Sequence, residues 1–170
     1  LLQDVKVTLT HGLSYSPSAF DVHVFFDSNW AGDIIDRKST SGYCIILGSD
    51  LVFWSAKKQH TVSRSSIEAE YRSLAYTAAE LAWIGMLLQD LSIVSPVLPT
   101  LWCDNVFAIA LASNLVFHSR SEHIEVNFHF GREQVLAKKL VLQYNPTIDQ
   151  LADIFCDAPK FEDIIIRFKT

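Results

Sequence analysis

Three short runs of apolar residues in the first third of the chain have the spacing of β-strands. In VHVFFD (22–27) every second residue is apolar, and this two-residue period is typical of a strand that packs on one face. YCIILG (43–48) and LVFWS (51–55) are further apolar runs, separated only by Ser49 and Asp50. Strands joined by such short links predict an antiparallel meander.

A long amphipathic helix is predicted after the meander. Ser65 can accept a hydrogen bond from the first turn, and Glu68, three residues later, completes a capping box. Apolar residues then recur at helical spacing as far as about Leu91. The stripe consists of Ile67, Tyr71, Leu74, Ala78, Leu81 and Leu88.

The second half of the chain alternates between strands and helices. Asn105 can cap a short helix, and Thr147 and Gln150 form another capping box, which predicts a helix over 148–157. The other predicted elements are strands at 97–104 and 140–144 and helices at 106–113 and 121–137. The order β-β-β-α-β-α-α-β-α is typical of an α/β fold, with a mixed sheet and helices on its faces.

The length fits a single domain, because 170 residues form one compact unit in most proteins. We expect the domain to span 21–158. A turn-rich connector at 1–20, with a short strand at 5–9, precedes it, and a C-terminal tail at 159–170 follows. The chain does not begin with Met, and Met86 is its only methionine, so we expect a piece of a longer polypeptide.

Composition excludes several classes of protein. Hydrophobic residues at 49% and charged residues at 19% exclude a mainly disordered chain. No apolar run approaches the roughly 20 residues of a membrane span, so we expect no membrane partner. The cysteines, Cys44, Cys103 and Cys156, fit neither a disulfide framework nor a zinc pattern. We expect reduced core cysteines in an intracellular protein, with a functional thiol as the alternative.

The charge of the chain is unevenly distributed. A net charge of −5 argues against binding nucleic acid by bulk attraction. Residues 51–67 are the exception, because they contain no acid but include Lys57, Lys58, His60 and Arg64. Two interpretations stay open for this segment: a loop that contacts phosphates, or an ordinary solvated loop.

Two aspartates lie at predicted strand ends. Asp27 ends the first strand and Asp104 ends the fourth, and two strand ends at one edge of a mixed sheet can bring their last residues together. Asp is rare within strands, and Asn105 is available to cap the helix after Asp104. Each aspartate alone is also consistent with a turn or a cap.

The helices offer two further acidic candidates. Glu68 completes a capping box, whereas Glu70 lies on the edge of the apolar stripe, where a carboxylate is costly unless it is paired or metal-bound. Asp149 lies in the first turn of the last predicted helix, where the helix dipole favours an acid. Asp153 lies one turn further in and lacks that explanation. We therefore choose Glu70 and Asp153.

Four carboxylates from four elements could hold two divalent cations. Hard oxygen ligands suit Mg²⁺ or Mn²⁺. Two such ions about 3.5–4 Å apart can activate a water molecule and stabilise the leaving oxygen of a phosphodiester. The spacing of Asp27, Glu70, Asp104 and Asp153 is by itself only a weak indication of such a site.

Five longer segments occur in a recognisable order. They are FFDSNWAGDIIDRKSTSGY, WSAKKQHTVSRSSIEAEYRSLA, LWCDNVFAIALASN, HSRSEHIEVNFHFGRE and DQLADIF. Together they closely resemble the ribonuclease H domain of copia-type (LTR) retrotransposon Pol polyproteins, from about residue 10 to residue 158. The resemblance implies a ribonuclease H-like three-layer fold, with a five-stranded mixed sheet of strand order 3-2-1-4-5 flanked by helices.

The resemblance also implies a metal-dependent endonuclease that hydrolyses the RNA strand of RNA–DNA hybrids during reverse transcription. The acids of the family correspond to Asp27, Glu70, Asp104 and Asp153, which would hold two Mg²⁺ ions, with Mn²⁺ as a substitute. The implied partners are the hybrid and the reverse transcriptase domain of the same polyprotein, to which the connector at 1–20 would lead. No small-molecule cofactor is implied. The implied location is intracellular, in a cytoplasmic virus-like particle.

Contacts to the hybrid follow from the same resemblance. Lys57, Lys58 and Arg64 would contact backbone phosphates, and Ser28 and Asn105 would make polar contacts to sugar or phosphate. Recognition would depend on 2′-hydroxyl groups and groove shape rather than on base edges.

Three departures from the family pattern keep a second hypothesis open. Asn29 replaces a common Asp, Glu122 stands where Lys is usual, and Asp157 stands in place of a Lys. The last two reverse a positive charge and would weaken binding of the hybrid. The alternative is therefore a catalytically silent ribonuclease H-like remnant, or an interaction module of a decayed element, although all four acids are present.

Overall fold

The computed structural model describes residues 12–113, 126–156 and 164. The predicted strand at 5–9 lies outside the described residues, as do Glu122, Asp157 and all of the predicted tail except Ile164. Of the predicted connector, residues 12–20 are described and contain neither helix nor strand.

Five strands form one mixed sheet. They are β1 (Val22–Asn29), β2 (Thr40–Leu47), β3 (Asp50–Lys58), β4 (Thr100–Cys103) and β5 (Val141–Tyr144). Their order across the sheet is β3-β2-β1-β4-β5. The β1–β2 and β2–β3 pairs are antiparallel, whereas β1–β4 and β4–β5 are parallel. Both the predicted meander and the predicted strand order are confirmed.

The described part of the chain contains four α-helices and a 3₁₀ turn. They are α1 (Ser66–Asp90), α2 (Val106–Ser113), α3 (Val126–Leu136), the 3₁₀ turn Thr147–Asp149 and α4 (Asp153–Cys156). The Ser65 hydroxyl accepts from the Glu68 N–H at 3.1 Å, and Asn105 Oδ1 accepts from the Ala108 N–H at 3.0 Å, which confirms both caps. The Glu68 carboxylate accepts from the Arg64 N–H rather than from Ser65. None of these helices has the length and hydrophobicity of a membrane span.

The second predicted capping box is wrong. The Thr147 hydroxyl donates to Asp104 Oδ2 at 2.8 Å, and Gln150 Nε2 donates to the Phe26 carbonyl oxygen at 3.1 Å. Both side chains therefore tie their segment to β1 and to the residue after β4 instead of capping a helix. The chain makes only a 3₁₀ turn here, and the helix begins at Asp153 rather than at 148.

Helices cover both faces of the sheet, which gives the three layers. α1 packs against α2 and α3 and covers the face that carries Val24 and Phe26. α4 covers the opposite face, where Phe155 packs beside Cys44. Because side chains alternate along a strand, Asp27 belongs to the α4 face. Its neighbours along β1 belong to the α1 face, so both layers can contribute to a site at the end of this strand.

Gly42 allows α4 to lie close to the sheet. It is the register partner of Asp27, and a Cβ atom there would lie 2.8 Å from Cys156 Sγ and 3.0 Å from the Ala152 carbonyl oxygen. We expect Gly42→Ala to lower the free energy of unfolding by about 1–3 kcal/mol, because the backbone of α4 must move. Thermal unfolding followed by circular dichroism measures the effect.

Gly85 is the matched control for this prediction. It lies within α1, and a Cβ atom there would meet no other atom within 4 Å. Gly85→Ala should raise the free energy of unfolding by up to about 1 kcal/mol, since Ala is the better helix former. Equal losses from both substitutions would contradict a specific role for close packing at Gly42.

Candidate active site

Asp27 and Asp104 lie side by side at one edge of the sheet. Phe25 and Trp102 are register partners on the parallel strands β1 and β4, so the residue two positions beyond each lies at the same edge. Both aspartates line one cavity of about 310 Å³. Its lining residues are Asp27, Asn29, Asp104, Thr147, Asp153 and Cys156.

Glu70 joins this group from the second turn of α1. Its side chain is buried, with only 4% of the residue exposed. Its Oε1 accepts hydrogen bonds from the Ser28 N–H at 2.9 Å and from the Ser28 hydroxyl at 3.3 Å. Its Oε2 is buried and receives no hydrogen bond from any residue that the structure describes. Such an oxygen is destabilising unless a proton or a cation reaches it.

The acids of the site perturb one another. Burial, followed by hydrogen bonding to and repulsion from the Asp27 carboxylate, raises the pKa of Glu70 to about 10, and the Ser28 N–H opposes this rise. Burial also raises the pKa of Asp104, which the bond from the Thr147 hydroxyl partly offsets. In the absence of a cation the site therefore favours a protonated Glu70.

These residues fit a divalent cation. Carboxylate oxygens of Glu70 and Asp104 lie within 4.8 Å of each other and of Cys103 Sγ. Carboxylates are the hard oxygen ligands that Mg²⁺ and Mn²⁺ prefer. A cation would also neutralise Glu70 Oε2, which accepts no hydrogen bond from any described residue.

Asp153, the fourth predicted acid, lines the cavity from the first turn of α4. The sequence places it one turn inside its helix, and that placement is wrong because α4 begins at Asp153 itself. Asp149, the alternative, is exposed in the 3₁₀ turn and does not line the cavity. The structure thus gathers Asp27, Asp104 and Asp153 around one cavity. Their roles as ligands stay a prediction.

The two residues predicted to contact sugar or phosphate both make structural hydrogen bonds. Ser28 donates twice to Glu70 Oε1. Asn105 Oδ1 accepts from the N–H groups of Phe107 and Ala108 and so caps α2. Each residue is half-buried and directly follows a proposed ligand in the chain. Their contacts to nucleic acid stay predictions.

The predicted basic residues lie at the same end of the sheet as the acids. Lys57 is the register partner of Ser41, which in turn pairs with Ser28. Two strand spacings, about 10 Å, therefore separate Lys57 from the end of β1. Both Lys57 and Arg64 are exposed, so the structure leaves them accessible to a ligand that spans this edge.

Lys58 differs from its neighbour because it forms ion pairs within the chain. Its Nζ lies 2.8 Å from an Asp36 carboxylate oxygen and also contacts Asp33. Hydrogen bonding to these two carboxylates raises the pKa of Lys58. A phosphate would have to compete with both aspartates for this ammonium group.

Gln59 fixes the basic loop, and the sequence does not single it out. The residue is only 2% exposed. Its Nε2 donates to the Ser41 hydroxyl at 2.9 Å and to the Ala69 carbonyl oxygen at 3.0 Å, and its Oε1 accepts from the Ser63 hydroxyl at 2.8 Å. These bonds hold the loop between β3 and α1 against both β2 and the helix.

Thr147 and Cys156 are cavity residues that sequence patterns do not reveal. The partner of Thr147 is Asp104, which is remote in the chain. The Cys156 thiol is buried next to the Asp27 carboxylate, and both the burial and the carboxylate raise the pKa of Cys156. All three cysteines of the chain are free and buried, which confirms the expectation of reduced core cysteines.

No protein-family model matches the chain, but the chain is similar to Pol polyproteins of transposons. The retrovirus-related Pol polyprotein from transposon RE2 of Arabidopsis thaliana is 46% identical over 154 residues, which cover 90% of this chain and 11% of the relative. The polyprotein from transposon RE1 is 44% identical over 154 residues, covering 90% and 10%. The chain is homologous to a segment of these retrovirus-related Pol polyproteins. This Pol-related domain spans about a tenth of their length.

Solved structures identify the fold of the Pol-related domain. LC11-RNase H1, isolated from compost by a metagenomic approach, matches with a TM-score of 0.59 at 14% identity, over 87% of this chain and 97% of that chain. The complex of LC11-RNase H1 with an RNA/DNA hybrid gives 0.53 at 11%, over 86% and 98%. Prototype foamy virus protease–reverse transcriptase gives 0.55 at 11%, over 91% and 21%. The domain has the ribonuclease H fold.

Proposed function

We propose that the Pol-related domain is a metal-dependent endonuclease that hydrolyses the RNA strand of RNA–DNA hybrids during reverse transcription. Its fold and its polyprotein homologues support a ribonuclease H-type function. The observation that carries the proposal is the meeting of Asp27, Asp104 and Asp153 around one cavity, with the donor-free Oε2 of Glu70 beside them. Gathering four acids is costly unless cations balance them.

The four acids would hold two Mg²⁺ ions, with Mn²⁺ as a substitute, because four carboxylates balance the charge of two divalent cations. Bound cations would supply the Lewis acidity that activates a water molecule and stabilises the leaving oxygen. Groups of the chain orient the acids for this task. The Ser28 N–H and hydroxyl fix Glu70, and the Thr147 hydroxyl fixes Asp104.

The hybrid would extend from the acids along the sheet edge to the basic loop. LC11-RNase H1 has been solved in complex with an RNA/DNA hybrid, which supports this class of substrate. Lys57 and Arg64 are exposed and would contact phosphates. Trp30, after β1, is 48% exposed. Its Nε1 donates to the carbonyl oxygen of Ser63, in the basic loop between β3 and α1, at 3.1 Å. We expect less from Lys58, which is already ion-paired.

Lys57→Ala should weaken binding of the hybrid and make it less sensitive to salt. Loss of one phosphate contact lowers the slope of log K against log salt concentration by about 1. Fluorescence anisotropy of a labelled hybrid, with Ca²⁺ in place of Mg²⁺, gives this slope. Lys139→Ala is the control, because Lys139 is exposed just before β5, at the opposite end of the sheet. Equal slopes for the two variants would contradict the assignment of Lys57.

The same proposal makes the reverse transcriptase region of the polyprotein a partner, reached through the connector at 1–20. The foamy virus match contains this fold within a protease–reverse transcriptase chain. A net charge of −5 gives the isolated domain little bulk attraction for nucleic acid, so the neighbouring region would add affinity. The place of action would be an intracellular virus-like particle.

A cleavage assay with the purified chain tests the proposal. Labelled RNA annealed to DNA is incubated with Mg²⁺ or Mn²⁺, beside the same RNA alone and the same RNA in an RNA duplex. We expect cutting of the RNA strand in the hybrid only, and none after chelation of the metal. Cutting of the DNA strand, or cutting that persists in chelator, would contradict the proposal.

The alternative function is that of a silent remnant, which the reversed charges at Glu122 and Asp157 favour. Calorimetry with Mn²⁺ separates the two hypotheses if the hybrid is not cut. Binding of Mn²⁺ that is lost in Asp104→Asn would mean that the metal site works and that binding of the hybrid is missing. The absence of both cutting and Mn²⁺ binding would favour the silent remnant.

A further inference from the structure

A cysteine lies among the proposed ligands of the site. Cys103 is the last residue of β4 and is fully buried. Its Sγ, a carboxylate oxygen of Glu70 and a carboxylate oxygen of Asp104 all lie within 4.8 Å of one another. The three residues come from two elements, α1 and the end of β4, so their spacing in the sequence gives no metal-binding pattern.

One oxygen of the Glu70 carboxylate accepts no hydrogen bond from any described residue. Glu70 is 96% buried, since only 4% is exposed, and its Oε2 receives no hydrogen bond within the described part of the chain. The other oxygen, Oε1, is fixed by Ser28. Ser28 therefore fixes the carboxylate through one oxygen, while the other accepts no hydrogen bond from a described residue. A cation bound by Glu70, Cys103 and Asp104 would be a partner for this carboxylate.

The chemistry of a thiol with two carboxylates differs from that of carboxylates alone. Mg²⁺ takes oxygen ligands in an octahedron, and a sulfur ligand does not suit it. Zn²⁺ and Cd²⁺ accept mixed sulfur and oxygen ligands, and Zn²⁺ commonly takes three protein ligands and one water. A tetrahedral ion with ligands at about 2.0–2.3 Å holds its ligand atoms about 3.3–3.8 Å apart. The three atoms would therefore need to approach by at most about 1.5 Å.

We propose that Glu70, Cys103 and Asp104 form a binding site for a thiophilic divalent cation, Zn²⁺ or Cd²⁺. The ion forms a bond to Cys103 Sγ, the thiol releases its proton to solvent, and the two carboxylates and a water complete the coordination. Asp104 also lines the open cavity, which gives the ion its route to the buried atoms. The site shares two ligands with the proposed Mg²⁺ site, so the two kinds of cation exclude each other.

Direct binding of Cd²⁺ to the full chain tests this site. A cadmium–thiolate charge-transfer band in the ultraviolet reports the sulfur bond, and calorimetry gives the affinity. In the parent we expect the band to saturate at one equivalent of Cd²⁺. In Cys103→Ala the band should be lost, and the affinity for Cd²⁺ should fall at least tenfold, roughly the minimum for loss of a ligand. Cys44→Ala is the matched control, because Cys44 is equally buried but packs beside Phe155 and does not line the cavity.

Two results would overturn the proposal. Binding of Cd²⁺ without the band would mean a carboxylate-only site. A band that survives in Cys103→Ala and disappears in Cys156→Ala would place the ion at the other cysteine of the cavity. Circular dichroism confirms that each variant is folded, and Cys103→Ser serves as the second variant if Cys103→Ala does not fold.

The competition with Mg²⁺ rests on the proposed function, whereas the binding does not. If the parent cuts the hybrid, we expect Zn²⁺ or Cd²⁺ to inhibit it and excess Mg²⁺ to relieve the inhibition. A parent that binds Cd²⁺ through Cys103 but neither cuts the hybrid nor binds Mn²⁺ would overturn the proposed function and leave this site standing. A parent that cuts the hybrid but shows no cadmium–thiolate band would overturn this site and leave the proposed function standing.

Discussion

Asp104→Asn should abolish cleavage of the RNA strand while the domain stays folded. The substitution removes a carboxylate from the cavity but keeps an oxygen that can accept the bond from the Thr147 hydroxyl. Loss of one electrostatic group from a site of this kind typically costs about 10²–10³ in rate, and a lost metal ligand costs at least as much. Rates on a labelled hybrid at saturating Mg²⁺ measure the effect, and circular dichroism checks the fold.

Asp149→Asn is the matched control for this experiment. It makes the same chemical change, but Asp149 is exposed in the 3₁₀ turn and does not line the cavity. Its rate should stay within about twofold of the parent, as for surface changes away from a site. Cleavage that survives Asp104→Asn would contradict the assignment of the site. Equal losses from both variants would mean a general effect of charge.

Those parts of the fold that depend on neighbouring residues were predictable from the sequence. Ser65 and Asn105 cap helices because their side chains reach N–H groups three residues ahead, and such contacts leave a local pattern. The alternation in β1 likewise records which face is buried. Glu70 was identifiable because a carboxylate at the edge of an apolar stripe needs a partner, and the structure buries it.

Long-range partners account for what the sequence did not reveal. Thr147 and Gln150 have the spacing of a capping box, yet their side chains bond Asp104 and Phe26, which are 43 and 124 residues away in the chain. The same contacts move the start of the last helix to Asp153. The order of the strands came from the family resemblance, because periodicity gives the existence of a strand but not its place in a sheet.

Glu70→Gln should have opposite effects on stability without and with metal. In the metal-free protein the buried carboxylate faces Asp27, and its pKa is raised to about 10 by burial and by that neighbour. At pH 7.5 the metal-free folded state must keep a proton on Glu70 that the unfolded chain releases, which lowers its stability. Glutamine keeps the acceptor for Ser28 and does not titrate, so we expect the free energy of unfolding at pH 7.5 in chelator to rise by roughly 1–3 kcal/mol.

The raised pKa of Glu70 also sets how the stability of the metal-free protein changes with pH. The folded state keeps the Glu70 proton up to about pH 10, whereas the unfolded chain releases it near the ordinary value of 4.5. The folded state therefore binds more protons between these values, so stability in chelator falls as the pH rises through this window. Glu70→Gln should show a smaller fall. Thermal unfolding at pH 5.5, 7.5 and 9 measures both curves.

With added Mg²⁺ the parent should become more stable than Glu70→Gln. A ligand at 100 times its Kd stabilises the folded state by about 2.7 kcal/mol, and only the parent has the Glu70 carboxylate to bind it. Glu133→Gln, at an exposed position of α3, should change neither curve by more than about 0.5 kcal/mol. A variant that is less stable than the parent in chelator would mean that Glu70 supports the fold rather than a cation. A metal site predicts a buried carboxylate that lowers the stability of the metal-free protein and raises it once a cation is bound. The ligands of such a site suit the metal-bound state and destabilise the metal-free state.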